Sequence, residues 1–254
     1  MNDKMRKVLI VFLVLLAAGC GLYLFWYYYE AGKNRDSDEH AKEQAYEKKT
    51  DPEKSENGES ENPIDFVGLQ SVNPDVYAWI RIEDTNIDYP IVQSREDNTY
   101  YLDHTWEKES APSGAIFTQT YNHRDFQDYN TVVYGHRMSD ASPTMFYSLH
   151  QYLDADYMEQ HSRITVYTEN HILTYRVFAA VVYDDRLIPM YYNFSMDEQR
   201  QKFLDSIYAS TDLRNQYAED VQVDANDRIL TLSTCLEGEA THRLLVEAVL
   251  IDEK

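Results

Sequence analysis

Residues 228–251 read RILTLSTCLEGEATHRLLVEAVLI. Ile229–Thr234 and Arg243–Ile251 are rich in Leu, Ile, Val and Thr, and the polar stretch between them carries Gly238. Two such runs around a glycine-containing turn read as an antiparallel hairpin. Its geometry has a chemical consequence. Cys235 closes the first strand and Arg243 opens the second, eight residues later, so pairing the strands sets a guanidinium beside a thiol.

Working outward from this hairpin, further short runs of Val, Ile, Tyr and Thr bounded by Asn, Asp, Gly and Pro lie at 77–82, 87–92, 114–119, 130–135, 163–168 and 171–183. Eight strands predict a closed or nearly closed barrel, which leaves no long edge unpaired. Ser195-Met-Asp-Glu198 has the spacing of a capping box, and Phe203, Leu204, Ile207 and Tyr208 repeat at helical spacing, which predicts a helix over 196–209 between the sixth and seventh strands. Shorter helices are expected near 64–71 and 144–152. The fold class is therefore mainly β, with a few helices at its N-terminus and in one long connection.

The chain has 254 residues and a formal net charge of −21, from 23 Lys+Arg against 44 Asp+Glu. Most of that charge falls on residues 63–254. A nucleic-acid binder working through a basic surface is excluded, because phosphate neutralisation needs clustered cations. Two cysteines, Cys20 and Cys235, are too few for a disulfide framework.

Val8 to Tyr29 carries no charge and as a helix spans about 33 Å, enough for a bilayer core. Lys4, Arg6 and Lys7 precede it and Trp26 to Tyr29 close it, which predicts one transmembrane helix with the N-terminus in the cytoplasm and all that follows outside. The bulky aromatic end argues against a cleaved signal peptide. Leu16 to Cys20 has the look of a lipoprotein box, but the apolar run continues well past the cysteine. Residues 30–62 are dominated by Lys, Glu, Asp, Ser and Asn and offer little to bury, so they are expected to form a flexible, solvated linker between the anchor (1–29) and a folded domain (63–254).

A cysteine at a strand end, exposed outside the cell, is an oxidation liability unless it is used. A thiol nucleophile needs a proton carrier and an oxyanion donor. Among eight histidines, His136 stands out because it ends the apolar strand Thr131-Val-Val-Tyr-Gly135, where the glycine allows a close backbone approach. His104, His123, His150, His161 and His171 lie in polar turns or helix ends and read as surface residues, and His40 falls in the linker. His242 remains a second candidate. Arg243 could instead be a surface arginine paired with Glu237 or Glu239.

Thr231-Leu-Ser-Thr-Cys235 with Arg243 on the next strand, preceded by Val133-Tyr-Gly-His136, resembles the sortases, the cysteine transpeptidases of Gram-positive cell surfaces. The TLSTC form and the inserted helix resemble class B. The similarity extends over Tyr89-Pro-Ile-Val-Gln93, Asn98-Thr-Tyr-Tyr-Leu102 and Ser113-Gly-Ala-Ile-Phe117. It implies an eight-stranded barrel in which Cys235 attacks the Thr carbonyl of a sorting signal on a secreted protein, a cysteine-peptidase-like acyl transfer through a thioacyl enzyme. It also implies that His136 moves the proton, that Arg243 holds the oxyanion, and that a peptidoglycan cross-bridge or precursor amine accepts the acyl group. By the same likeness Asn98, Leu102, Tyr134 and Ser233 line the substrate groove, with part of the 184–195 loop as its wall. Neither a metal nor a cofactor is expected, since no EF-hand-like ligand spacing and no phosphate-binding glycine loop is present. A pilin polymerase using a Lys amine, and a non-catalytic binding module on the same barrel, are open alternatives.

Overall fold

A computed structural model describes residues 3–46, 62–138 and 143–254. Nine strands form its sheet: β1 (Val76–Arg81), β2 (Asp88–Val92), β3 (Ile116–Thr118), β4 (Asn130–Tyr134), β5 (Arg163–Thr168), β6 (Ile172–Asp184), β7 (Gln216–Tyr217), β8 (Ile229–Leu236) and β9 (Glu239–Glu253). The order is β5-β1-β2-β3-β4-β8-β9-β6, and β5 also pairs with β6, so eight strands close a barrel; the two-residue β7 is an unforeseen addition on β6. Most pairs are antiparallel, whereas β2–β3 and β4–β8 run parallel. The eight strand runs expected from the sequence are all present, within a few residues at their ends.

The burial pattern of β6 shows how the layers arise. Its first half alternates, and from Val177 to Tyr183 every residue is buried. Val177, Ala180 and Val182 face the barrel interior with Ile80, Ile91, Val133, Leu232 and Val246. Phe178, Val181 and Tyr183 face outward, where Phe203, Leu204 and Ile207 of α5 (Asp197–Tyr208) cover them. A strand buried on both faces loses its period of two, which is why this run reads as continuously apolar. The helix lies where its periodicity predicted, but the capping box does not form. Met196 is the N-cap without a side-chain bond, and the Ser195 hydroxyl donates instead to Asn193 Oδ1 at 2.7 Å.

Shorter helical turns are α2 (Phe66–Val72), a 3₁₀ turn at Tyr100–Leu102, a 3₁₀ segment at Tyr147–Leu153, α3 (Ala155–Gln160) and α4 (Ile188–Tyr191). The helices expected near 64–71 and 144–152 correspond to α2 and to the 3₁₀ segment.

The linker expectation changes for its first half. Helix α1 runs from Asp3 to Tyr46, and Ser37, Ala41 and Ala45 on it are buried. The outer face of β1 and β2 carries Trp79 and Val92, which need cover, and the i, i+4 pair of small alanines lets the helix approach them closely. Trp106 Nε1 donates to the Ser37 carbonyl at 2.9 Å, His40 Nδ1 lies 2.7 Å from Glu107, and the Tyr46 hydroxyl donates to Asp88 at 2.9 Å. Composition hid this because the buried positions are small or polar. Residues 47–61 of the expected linker lie outside the described residues. At its other end α1 contains one stretch, Asp3–Phe25, long and apolar enough to cross a membrane.

Candidate active site

The β8–β9 hairpin turns at Gly238, whose φ of +75° lies in the left-handed region that glycine adopts freely. Leu236 pairs with Glu239, and the next rung pairs Cys235 with Arg243, so residues 240–242 bulge out from the β8 side. That bulge anchors the arginine. Arg243 Nη1 donates to the Ala240 carbonyl at 3.0 Å and to the His242 carbonyl at 2.9 Å. The glutamates that could have neutralised it are engaged elsewhere: Glu237 pairs with Arg137 at 2.8 Å and Glu239 with Arg214 at 2.9 Å. Among the described residues no carboxylate forms an ion pair with Arg243, and the surface-pairing reading is set aside.

Strand β4 lies on the other side of β8, with Tyr134 opposite Ser233 and the Gly135 amide donating to the Ser233 carbonyl at 3.2 Å. A Cβ on Gly135 would come within 2.5 Å of Ile116 Cδ1 and 2.8 Å of the Phe146 ring, so any side chain here must push these two aside. The residue that follows is His136. Its Nε2 lies 2.7 Å from the Leu102 carbonyl, an acceptor, so Nε2 carries a hydrogen and Nδ1 is the nitrogen free to exchange a proton.

Cys235, His136, Arg243, Leu102, Tyr134 and Ser233 thus line one open groove of about 210 Å³. The Cys235 thiol is free and exposed. The Tyr134 hydroxyl is buried without a hydrogen-bond partner among the described residues, and burial pushes its pKa well up. Asp185 to Leu187, from the connection after β6, form part of the wall. Arg186 is gripped there by the Asp184 carboxylate, and its guanidinium lies 4.2 Å from the centre of the Tyr191 ring.

Two expectations, for Asn98 and His150, need correction, and the open alternative at His242 closes. Asn98 is not among the groove's lining residues; its Oδ1 accepts from the Thr120 amide at 2.8 Å and hydroxyl at 3.0 Å, holding the turn whose neighbour Gln119 does line the groove. His242 is excluded from the groove by strand alternation: Arg243 faces it, so His242 points to the other face, 3.4 Å from Glu239. His150 is no surface residue. Both its ring nitrogens are buried without hydrogen-bond partners among the described residues, and desolvation together with nearby Arg137 lowers its pKa to about 4. Phe117 and Gln119 were missed as lining residues; they belong to the run around β3, whose alternation marked one face as inward without showing toward what.

The sortase domain model matches residues 80–251. Sortase B of Listeria monocytogenes is 39% identical over 167 residues, 66% of this chain and 65% of that protein. The chain therefore spans just under two thirds of that relative. Sortase B of Staphylococcus aureus is 32% identical over 188 residues, 73% of this chain and 74% of that protein. The crystal structure of sortase B from B. anthracis superposes with a TM-score of 0.72 at 33% identity, covering 89% of this chain and 99% of that one. With the matched region holding the groove and most of the barrel, the chain belongs to the sortase family and resembles its class B members.

Proposed function

We propose that this protein is a cysteine transpeptidase that cleaves a C-terminal sorting signal after its Thr and transfers the acyl part to an amino group of the peptidoglycan cross-bridge or its precursor. The observation that carries the reading is the placement of Cys235, His136 and an arginine without a carboxylate partner among the described residues in one groove. In the first half-reaction the Cys235 thiol gives its proton to His136 Nδ1 and the sulfur attacks the Thr carbonyl carbon. Arg243 Nε and Nη2, which have no protein acceptor among the described residues, donate to the oxyanion. His136 Nδ1 gives its proton to the departing amine, the C–N bond breaks, and a thioester remains. In the second half, His136 takes a proton from the incoming amine as it attacks the thioester. The amide forms, the C–S bond breaks, and His136 hands the proton to the departing thiolate, which restores the thiol.

Leu102, Tyr134 and Ser233 contact the peptide. Asn98 acts on the groove through the 119–120 turn. Residues 1–29 anchor the enzyme as a single-pass membrane protein with Lys4, Arg6 and Lys7 on the cytoplasmic side, and residues 63–254 form the extracellular catalytic domain.

The test is a peptide-library cleavage assay with and without an amine acceptor. Wild type should release the segment after Thr and form the amide product when amine is present, and Cys235→Ala should do neither. Cleavage retained in Cys235→Ala would remove the nucleophile assignment.

A further inference from the structure

The segment that joins Cys235 to Arg243 carries two carboxylates, Glu237 and Glu239. A carboxylate that swings onto Arg243 forms a bidentate pair with Nε and Nη2, the same two donors that the oxyanion needs. Each of the two is held elsewhere by an arginine from another part of the chain. Arg214, itself clamped to Asp212 by bonds of 2.8 and 2.7 Å, donates to Glu239 at 2.9 Å. Arg137 meets Glu237 at 2.8 Å. Glu237 is the greater hazard, because it follows Cys235 by two residues and its side chain is 68% exposed, so packing does little to restrain it.

Arg137, in contrast, is built into the fold. Its side chain is 14% exposed, its guanidinium lies 5.2 Å from the centre of the Tyr147 ring, and its backbone bridges to Met145. Next to it, the Phe146 amide donates to the His136 carbonyl at 2.9 Å. His150, on the same 3₁₀ segment as Tyr147, is pushed down to a pKa of about 4 by burial and by the charge of Arg137. It is therefore neutral at pH 7, and the cation that faces Glu237 is Arg137.

An ion pair with one partner so exposed adds little to stability. Its effect falls instead on what the glutamate would do if released. Neither Arg137 nor Glu237 is among the groove's lining residues. We infer that Arg137 is a positioning residue for the transfer chemistry: it holds Glu237 and so keeps Arg243 open for the oxyanion. This rests on the transpeptidase reading and deepens it. Arg137 directly follows His136, so the segment that delivers the proton carrier also delivers the guard of the oxyanion donor. Exposed ion pairs form with equilibrium constants of up to about 5, so a released Glu237 should lower kcat/KM by about two- to sixfold.

The test measures kcat/KM and melting temperature for wild type, Arg137→Met, Glu237→Gln and the double variant, each as the full chain, on the best-cleaved library peptide. Arg137→Met keeps a stem over Tyr147 and removes the charge, and it should lose about two- to sixfold. Glu237→Gln should match wild type, and the double variant should regain wild-type activity because the released carboxylate is gone. A purely structural role for Arg137 gives a double variant no better than Arg137→Met. That result, full activity in Arg137→Met, or a loss in Glu237→Gln alone overturns the inference. Should Arg137→Met not fold, Glu237→Asp beside Glu237→Gln gives the answer with Arg137 in place. The shorter carboxylate falls short of the guanidinium and should cost activity, whereas the amide should not; an equal or reversed order overturns the inference. A wild type that cleaves no peptide removes the transpeptidase reading itself, whereas wild-type cleavage without rescue removes only the role of Arg137.

Discussion

The Leu102 carbonyl accepts a hydrogen bond from His136 Nε2 at 2.7 Å. It fixes the tautomer, since a carbonyl cannot donate, and it ties the histidine to the 3₁₀ turn at Tyr100–Leu102. His242, on the opposite face of β9, has no such placement. His136→Ala should therefore abolish peptide cleavage, and His242→Ala should keep most of it. The check is steady-state turnover of both variants on one peptide; the reverse order would remove His136 from the proton path.

Arg243→Lys keeps the charge and loses the planar fork. One ammonium cannot hold the two bulge carbonyls and meet an oxyanion with the same geometry. Turnover should fall by about 10²–10³-fold, the range for losing an oxyanion donor, with the melting temperature little changed. Thermal unfolding beside kinetics separates the two effects.

Gly135→Ala puts a methyl group into Ile116 and Phe146. Overpacking of this kind costs about 1–3 kcal/mol, and the strain falls on the residue before His136. Both stability, by denaturant titration, and turnover should drop.

Glu247 is fully buried on β9, and burial raises its carboxyl pKa to about 8. Thr231 Oγ1 lies 2.7 Å from Glu247 Oε2 and 2.9 Å from Asn130 Oδ1. One hydroxyl hydrogen cannot serve two acceptors, so a protonated Glu247 donating to Thr231 satisfies the row as drawn. The unfolded chain releases this proton near 4.5 and the folded one holds it to about 8. In that window the native state binds more protons, so this group's contribution to stability falls as pH rises, by up to about 1.4 kcal/mol per pH unit. Glu247→Gln should flatten the pH dependence between 5 and 8 and raise stability at pH 8, as measured by denaturant midpoints.

A protein that starts at Arg35 should melt several degrees above one that starts at Asn62. The shorter form uncovers Trp106 and the outer face of Trp79, both almost fully buried beneath α1. Each kcal/mol is worth about 2–4 °C for a domain of this size. Equal melting temperatures would show that the helix adds no stability.

The strands were legible because their residues alternate or run apolar in lengths that only strands fit, and the inserted helix because four apolar residues recur at helical spacing. Cys235, His136 and Arg243 could be read from strand ends and one hairpin. Features that depend on packing between distant segments were not. The docking of α1 rests on Ala41 and Ala45, which carry no periodic signal within a charged stretch. The role of Leu102 lies in its backbone carbonyl, to which side-chain identity gives no clue. Asn98 was placed too near the groove because Leu102, at the end of the same motif, does line it. His150 sits in a segment polar enough to pass for surface, although its imidazole is enclosed by the fold.

The unbroken course of α1 changes how the groove would meet its substrates. A free linker of thirty-odd residues wanders over roughly 30 Å in any direction, and an enzyme on such a leash searches a hemisphere. With the apolar end seated in a bilayer, a helix that leaves it at Phe25 and grips the barrel from Ser37 is a lever arm of about 18 Å. The mouth of the groove would then have a set height and compass bearing over the lipid surface, so a substrate held in the same membrane would present its cleavage site at a matching elevation.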